Sequence, residues 1–270
     1  MSFAGARVLS FESRREQEMA ELIRINGGDP FVAPALIEVP LTQNDAAFAF
    51  AEKLFAGEFD AIIFQTGIGA RLLARVLGTR YDEEKFRQAL RKITVVARGP
   101  KPSAVLREWS VPVAVIAQEP STWREILAVM ADRPEKRVAV QEYGRDSREL
   151  HEGLEAQDRQ VTTVPVYQWQ FPADTTPLAE AVRRLLSGQV DVTLFTTSVQ
   201  LDHLLEFAGR TEQLEAVQDS LRKTFIASIG PTCSEALEHC GLKPDLEPSH
   251  LKMGVLVREA AIAFSGRKRV

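Results

Sequence analysis

The sequence predicts an α/β protein of two similar units, each a parallel sheet flanked by helices. Three observations carry that prediction. Short apolar runs alternate with amphipathic segments, the pattern occurs twice, and four strand-to-helix junctions are short and built of small or polar residues. Asp60-Ala-Ile-Ile-Phe-Gln-Thr66 returns as Asp191-Val-Thr-Leu-Phe-Thr-Thr197, and Gly99-Pro100 as Gly230-Pro231, each 131 residues on. Glu119-Pro-Ser121 returns as Glu247-Pro-Ser249, and Arg7-Val8 and Arg137-Val138 open the two copies alike. Solenoid units have periods of about 20–50 residues, so this repeat describes two α/β halves instead. A cleft between such halves is a place for a ligand.

In order, Arg7–Phe11 is a β-prone run, and Ser13 is the expected N-cap of a helix ending near Asn26-Gly27-Gly28. A second apolar run, Phe31–Ala35, leads into Ile37–Pro40. A helix with Phe48, Ala51, Leu54 and Phe55 on one face precedes strand Ala61–Phe64. The next helix carries Leu72, Leu73, Val76 and Leu77, and a charged one spans Asp82–Arg91. Strand Ile93–Ala97, a helix from Pro100, the run Val113–Ala117 and a helix after Ser121 close the first copy. The second has strand Val138–Gln141, helix Asp146–Gln157, strand Val161–Val164 and the extended stretch Pro165–Phe171. Helix Pro177–Ser187, strand Val192–Phe195 and helix Val199–Phe207 follow. Strand Phe225–Ser228, a helix from Pro231 and a closing helix over Met253–Phe264 end the copy; Ser265–Val270 reads as a frayed basic tail. Two proline-flanked segments, 35–41 and 165–171, break the alternation at equivalent places. They read either as ordinary sheet strands or as a two-stranded connection between domains.

Composition excludes several classes. Apolar and charged contents of 45% and 26% are ordinary for a globular chain, and the net charge of −4 creates no field favouring nucleic acid or an anionic membrane. No run approaches the roughly 18 apolar residues of a spanning helix, and Met1–Arg7 does not read as a signal peptide, so the expected address is the cytoplasm. Cys233 and Cys240, about 10 Å apart along one helix, read as free thiols. His151, His203, His239 and His250 lack metal-ligand spacing, and neither metal nor other cofactor is expected.

The junctions are Gln65–Gly69, Arg98–Lys101, Thr196–Ser198 and Gly230–Ser234. In parallel α/β folds such loops gather at the strand carboxyl ends, where helix N-termini offer free N–H groups to anions. Thr66, Thr197, Thr232 and Ser234 add hydroxyl donors; for each, simple N-capping is the plainer explanation. Gly67-Ile-Gly69 lacks the third glycine of a dinucleotide fingerprint, and neither a phosphate loop nor a Gly-x-Ser-x-Gly elbow is present. Arg14, Arg98, Lys101 and Arg145 flank the junctions, with solvated surface as the plain alternative. Cys233 at a helix start is a weak candidate for a lowered pKa. Tyr167, one of three tyrosines, lies in the second extended segment.

Taken together, Ser13-Arg-Arg15 with Gly27-Gly28 and Pro34, Phe64-Gln-Thr66, Gly99-Pro-Lys101, Gln141-Glu-Tyr-Gly144, Val164-Pro-Val-Tyr167, Phe195-Thr-Thr197 and Ile229-Gly-Pro-Thr232 with Glu235-Ala-Leu237 resemble uroporphyrinogen-III synthase. The resemblance covers nearly the whole chain. It implies a HemD-like fold of two α/β domains joined by a two-stranded β connection. One domain is residues 1–36 with 171–270, the other 41–164, and 36–41 and 165–171 are the connecting strands. The implied reaction cyclises hydroxymethylbilane to uroporphyrinogen III with loss of water, in a monomer that meets hydroxymethylbilane synthase transiently. The junctions would then face one shared cleft, with domains opening and closing on the connector.

By motif, Tyr167 matches a family tyrosine suggested to assist hydroxyl departure, and Thr66, Thr197 and Thr232 match hydroxyls lining the cleft. The expected substrate-binding set is Arg14, Thr66, Gly67, Gly99, Lys101, Ser103, Arg145, Thr197, Ser198, Gly230, Thr232 and Ser234. Pro102 and Cys233 stand where the family often has threonine, with Ser103 or Ser234 as substitutes. The rival reading is a non-catalytic tetrapyrrole-binding or regulatory relative.

Overall fold

A computed structural model describes residues 2–41, 44–142, 144 and 147–267. In chain order the elements are β1 Arg7–Ser10, α1 Glu16–Ile25, β2 Asp29–Val32, β3 Ile37–Pro40, α2 Asp45–Phe55, β4 Ala61–Phe64, α3 Gly67–Leu77 and α4 Glu83–Leu90. Next come β5 Thr94–Ala97, α5 Pro100–Glu108, β6 Val115–Ile116, α6 Trp123–Met130, β7 Arg137–Gln141, α7 Arg148–Ala156, β8 Gln160–Val164 and β9 Tyr167–Gln170. The last are α8 Thr176–Leu186, β10 Val192–Phe195, α9 Ser198–Arg210, α10 Leu214–Leu221, β11 Phe225–Ser228, α11 Pro231–His239 and α12 Met253–Arg267.

The chain divides into two units, Met1–Ile37 with Gln170–Val270, and Glu38–Trp169. The first holds a parallel sheet in the order β11-β10-β1-β2. Side chains alternate across it: Leu9, Phe11, Phe195 and Ile226 enter one core, and Val8, Val192, Leu194 and Phe225 the other. The second unit holds the parallel sheet β6-β5-β4-β7-β8. Ile62, Phe64, Val95 and Ala97 face one core there, and Ala61, Ile63, Val96 and Val138 the other. Burial on both faces explains why β4 and β10 read as unbroken apolar runs.

The opening strand of each copy pairs with the central strand of the other: β1 lies beside β10, and β7 beside β4. Matching ion pairs close both joints. Asp191 accepts from the backbone N–H of Arg7 at 2.8 Å and from its guanidinium at 2.9 and 3.0 Å. Asp60 accepts from the backbone N–H of Arg137 at 2.8 Å and from its Nη2 at 2.6 Å.

Strands β3 and β9 join neither parallel sheet and pair with each other. Three local expectations are corrected. Ser13 does not cap α1: the N-cap is Arg15, and the buried Ser13 Oγ has no hydrogen-bond partner among the described residues. The closing helix continues through Ser265 to Arg267, so that part of the expected frayed tail is helical, while 268–270 lie outside the described residues. A further helix, α10, precedes β11 where the pattern suggested none, burying Val217 and Leu221.

Candidate functional site

Because each of the two larger sheets is all-parallel, the carboxyl ends of its strands lie along one edge. In the second unit α3 packs into the core on one face and α7 into the core on the other, so the chain leaves β4 and β7 in opposite directions. In the first unit α9 and α1 diverge likewise from β10 and β1. Such switch points open a crevice at the strand ends.

In the second unit Thr66 is the N-cap of α3, its Oγ1 accepting from the backbone N–H of Gly69 at 3.0 Å. The capping bond uses a lone pair and leaves the hydroxyl hydrogen to donate elsewhere. Gly67 begins the helix where a Cβ would lie 2.9 Å from the carbonyl oxygen of Lys101, so the β4–α3 and β5–α5 junctions meet backbone to backbone. Gly99 is the buried N-cap of α5, Lys101 is exposed, and Ser103 is buried one turn in, beside the buried Pro102. Beneath Thr66 lies a polar network. Gln141 Oε1 accepts from the Thr66 N–H at 3.3 Å, and Gln65 Nε2 donates to Ser147 Oγ at 2.8 Å. Ser147 Oγ in turn donates to Glu142 Oε2 at 2.9 Å, and Glu142 Oε1 lies 2.5 Å from His151 Nε2.

Tyr167 is buried in the same unit's core, its ring edge-on to Trp169 at 6.1 Å between centroids. Gly144 abuts both rings. Its φ of +92° is strained for any other residue, and a Cβ would approach Trp169 to 2.7 Å and Tyr167 to 3.0 Å. Arg145 lies outside the described residues.

In the first unit Thr197 occupies the N-cap position of α9 without a side-chain capping bond, and Ser198 follows, buried. Thr196 Oγ1 donates to Glu12 Oε2 at 2.6 Å and accepts from Gln200 Nε2 at 2.8 Å. Gly230 is the buried N-cap of α11, and Thr232 is half-buried in its first turn. Ser234 donates its single hydrogen to Glu247 Oε2 at 2.6 Å and lies 2.5 Å from Ser228 Oγ, so that hydrogen is already committed. Arg14 is exposed in the β1–α1 turn. Burial pushes the Cys233 thiol up to about 12, opposite to the shift a redox thiol at a helix start needs.

The structure thus gathers Thr66, Gly67, Gly99, Lys101 and Ser103 at one unit's strand ends, and Thr197, Ser198, Gly230, Thr232 and Ser234 at the other's. Sequence reasoning passed over the carboxylates Glu12 and Glu142 and the ring of His151; their one signal is that each glutamate follows its repeat-opening arginine by five residues. A surface concavity of about 410 Å³ runs along α8, lined by Ala179, Val182, Arg183, Leu186 and Ser187, with Gln213. Among the described residues no group of histidine, cysteine, aspartate and glutamate could hold a metal ion, and no helix is long and apolar enough to cross a membrane.

An uncharacterized Bacillus subtilis protein, YjjA, is 28% identical over 95% of both chains. A solved mutant uroporphyrinogen III synthase from Thermus thermophilus is 22% identical, with a TM-score of 0.71 and 98% of both chains covered. The Helicobacter pylori uroporphyrinogen-III synthetase is 16% identical, covering 98% of this chain and all of its own at a TM-score of 0.51. The family model described as uroporphyrinogen-III synthase HemD matches residues 17–258. With the fold, the parallel sheets and the junctions already in place, the chain belongs to the uroporphyrinogen-III synthase family.

Proposed function

We propose that this chain is a hydro-lyase that cyclises hydroxymethylbilane to uroporphyrinogen III, with inversion of the terminal pyrrole. The observation that supports the reading most is that both units carry the same donor-lined junctions, Thr66 with Gly99 and Thr197 with Gly230. Helix N-termini and hydroxyls suit a substrate with eight carboxylates even on a chain of net charge −4, because the attraction is local. The terminal C–O bond breaks with its electron pair leaving on oxygen, which takes a proton and departs as water. The lone pair of the adjoining pyrrole nitrogen fills in as that bond breaks, which forms the azafulvene. The substituted α-carbon of the terminal pyrrole attacks the azafulvene to form a spiro intermediate. Its original bond to the bridging methylene then breaks, and the methylene rejoins at the other α-carbon with loss of that carbon's proton, so the ring ends inverted. Positioning a flexible chain so that one carbon attacks is the main task, and fixed backbone donors perform it without a covalent bond to the protein.

In this reading the Tyr167 hydroxyl assists departure of the leaving oxygen, and Arg14, Lys101, Arg145, Thr232 and the two N-cap threonines hold carboxylates. The protein works as a cytoplasmic monomer supplied by transient contact with hydroxymethylbilane synthase. The committed hydrogen of Ser234 and the buried Pro102 and Cys233 favour one second reading, a non-catalytic tetrapyrrole-binding relative. Hydroxymethylbilane generated in situ by its synthase, with this protein added, gives porphyrins that separate by isomer after oxidation. Excess isomer III is expected; isomer I alone overturns the catalytic reading, and tight binding without conversion supports the second.

A further inference from the structure

Each unit holds one glutamate at the switch point of its sheet, and the two are wired alike. Glu12 follows Arg7, and Glu142 follows Arg137, by the same five residues. In the first unit Glu12 Oε2 accepts from Thr196 Oγ1 across the switch point at 2.6 Å, while Oε1 accepts from the Arg15 backbone N–H, before α1, at 3.2 Å. In the second, Glu142 Oε2 accepts from Gln65 Nε2 across the switch point at 3.4 Å, while Oε1 meets His151 Nε2 on α7.

The partners across the gap are equivalent too. Thr196 and Gln65 are each the first residue beyond a central strand, and each immediately precedes an N-cap threonine, Thr197 or Thr66. One carboxylate therefore ties the helix after its own strand to the neighbouring junction, in both copies. Burying a carboxylate is costly unless hydrogen bonds replace its water, and at Glu142, 5% exposed, they do.

We propose that Glu12 and Glu142 are a repeat-related pair of positioning residues that hold the Thr197 and Thr66 junctions in their ligand-receiving geometry. The reaction they serve rests on the tetrapyrrole-cyclising reading, whereas the holding of the loops is measured without it.

The test uses the full chain with Glu12→Ala, Glu142→Ala and the corresponding glutamine variants. Backbone amide exchange is read over residues 65–69 and 196–200, and isomer III formation is followed with hydroxymethylbilane generated in situ. Each alanine variant is expected to exchange about tenfold faster at its own junction, with protection elsewhere unchanged. Its kcat is expected to fall by about ten- to a hundredfold. Glutamine at 142, whose amide oxygen still accepts from Gln65 and whose NH2 can donate to His151, restores most of both. Glutamine at 12 keeps the bond to Thr196 but turns its NH2 to the Arg15 N–H, and restores only part.

Unchanged exchange at the matching junction, or a loosened junction with wild-type kcat, overturns the proposal. If wild type forms only isomer I, the catalytic reading fails by itself, and exchange alone then decides whether the glutamates hold the loops. Should an alanine variant fail to fold, the aspartate variant replaces it. Its shortened carboxylate cannot span both partners, so unaltered exchange there is equally fatal.

Discussion

Replacing Asp60 by asparagine tests the joint that binds the opening strand of one copy to the central strand of the other. Asp60 Oδ2 accepts from the backbone N–H groups of Lys136 and Arg137 at 3.1 and 2.8 Å, and Oδ1 from Arg137 Nη2 at 2.6 Å. The Arg137 guanidinium, bonded directly to it, is the main cause holding the Asp60 carboxyl at about 2, against an ordinary 3.8. That gap corresponds to about 2.4 kcal/mol between charged and neutral forms. The side chain is 31% exposed, so screening by solvent leaves about 1–2 kcal/mol. An asparagine oxygen can still serve the backbone, but its amide then faces the guanidinium, donor against donor.

The folded pKa is depressed, so the contribution is complete above about pH 4 and is lost as pH falls through about 2. Urea unfolding of wild type and Asp60→Asn is therefore expected to differ by about 1–2 kcal/mol at pH 7, with the difference shrinking toward pH 3. Asp191→Asn, at the equivalent joint with Arg7, is expected to cost a similar amount. A difference below about 0.3 kcal/mol at pH 7, or one unchanged at pH 3, refutes the reasoning.

Gly69→Ala would place a Cβ 2.1 Å from Gln141 Nε2, displacing the side chain that accepts from the Thr66 N–H. A net loss of about 1–3 kcal/mol is expected despite the better helix propensity of alanine, and a raised Tm would contradict it. Cys233, buried with its thiol near 12, is expected to resist alkylation in native protein at pH 8, while the half-buried Cys240 reacts first; mass mapping after a brief iodoacetamide pulse checks the order. Tyr167→Phe is expected to slow isomer III formation by about a hundredfold with the fold retained, since a proton donor is removed from a ring that packing still holds. Unaltered turnover removes Tyr167 from the mechanism.

The sequence by itself determined the elements that depend on nearest neighbours. Strands such as Ala61–Phe64, Val192–Phe195 and Phe225–Ser228 were legible because burial on both faces demands unbroken apolar runs. The junctions were legible because close approach selects small residues, as at Gly67 against Lys101. Capping was less so: Thr66 bonds as an N-cap threonine should, whereas Ser13 stands too far before α1 to reach its first free N–H groups. Helix α10 is hard to read from the sequence because its eight residues make barely two turns, so Leu214, Val217 and Leu221 give too short a periodic signal.

The resemblance placed the first strand with the last third of the chain, but the order and register of the neighbouring strands were decided only by tertiary structure. The runs of β1 and β7 are interchangeable in pattern, and packing across both faces of a sheet sets β10 beside β1 and β4 beside β7. The same folding step brought Glu12 to Thr196, and Glu142 to Gln65 and His151, from far apart in the chain. Hydrophobic periodicity is local and can be read along one segment. A hydrogen bond across a switch point exists only after two distant strands have been laid side by side.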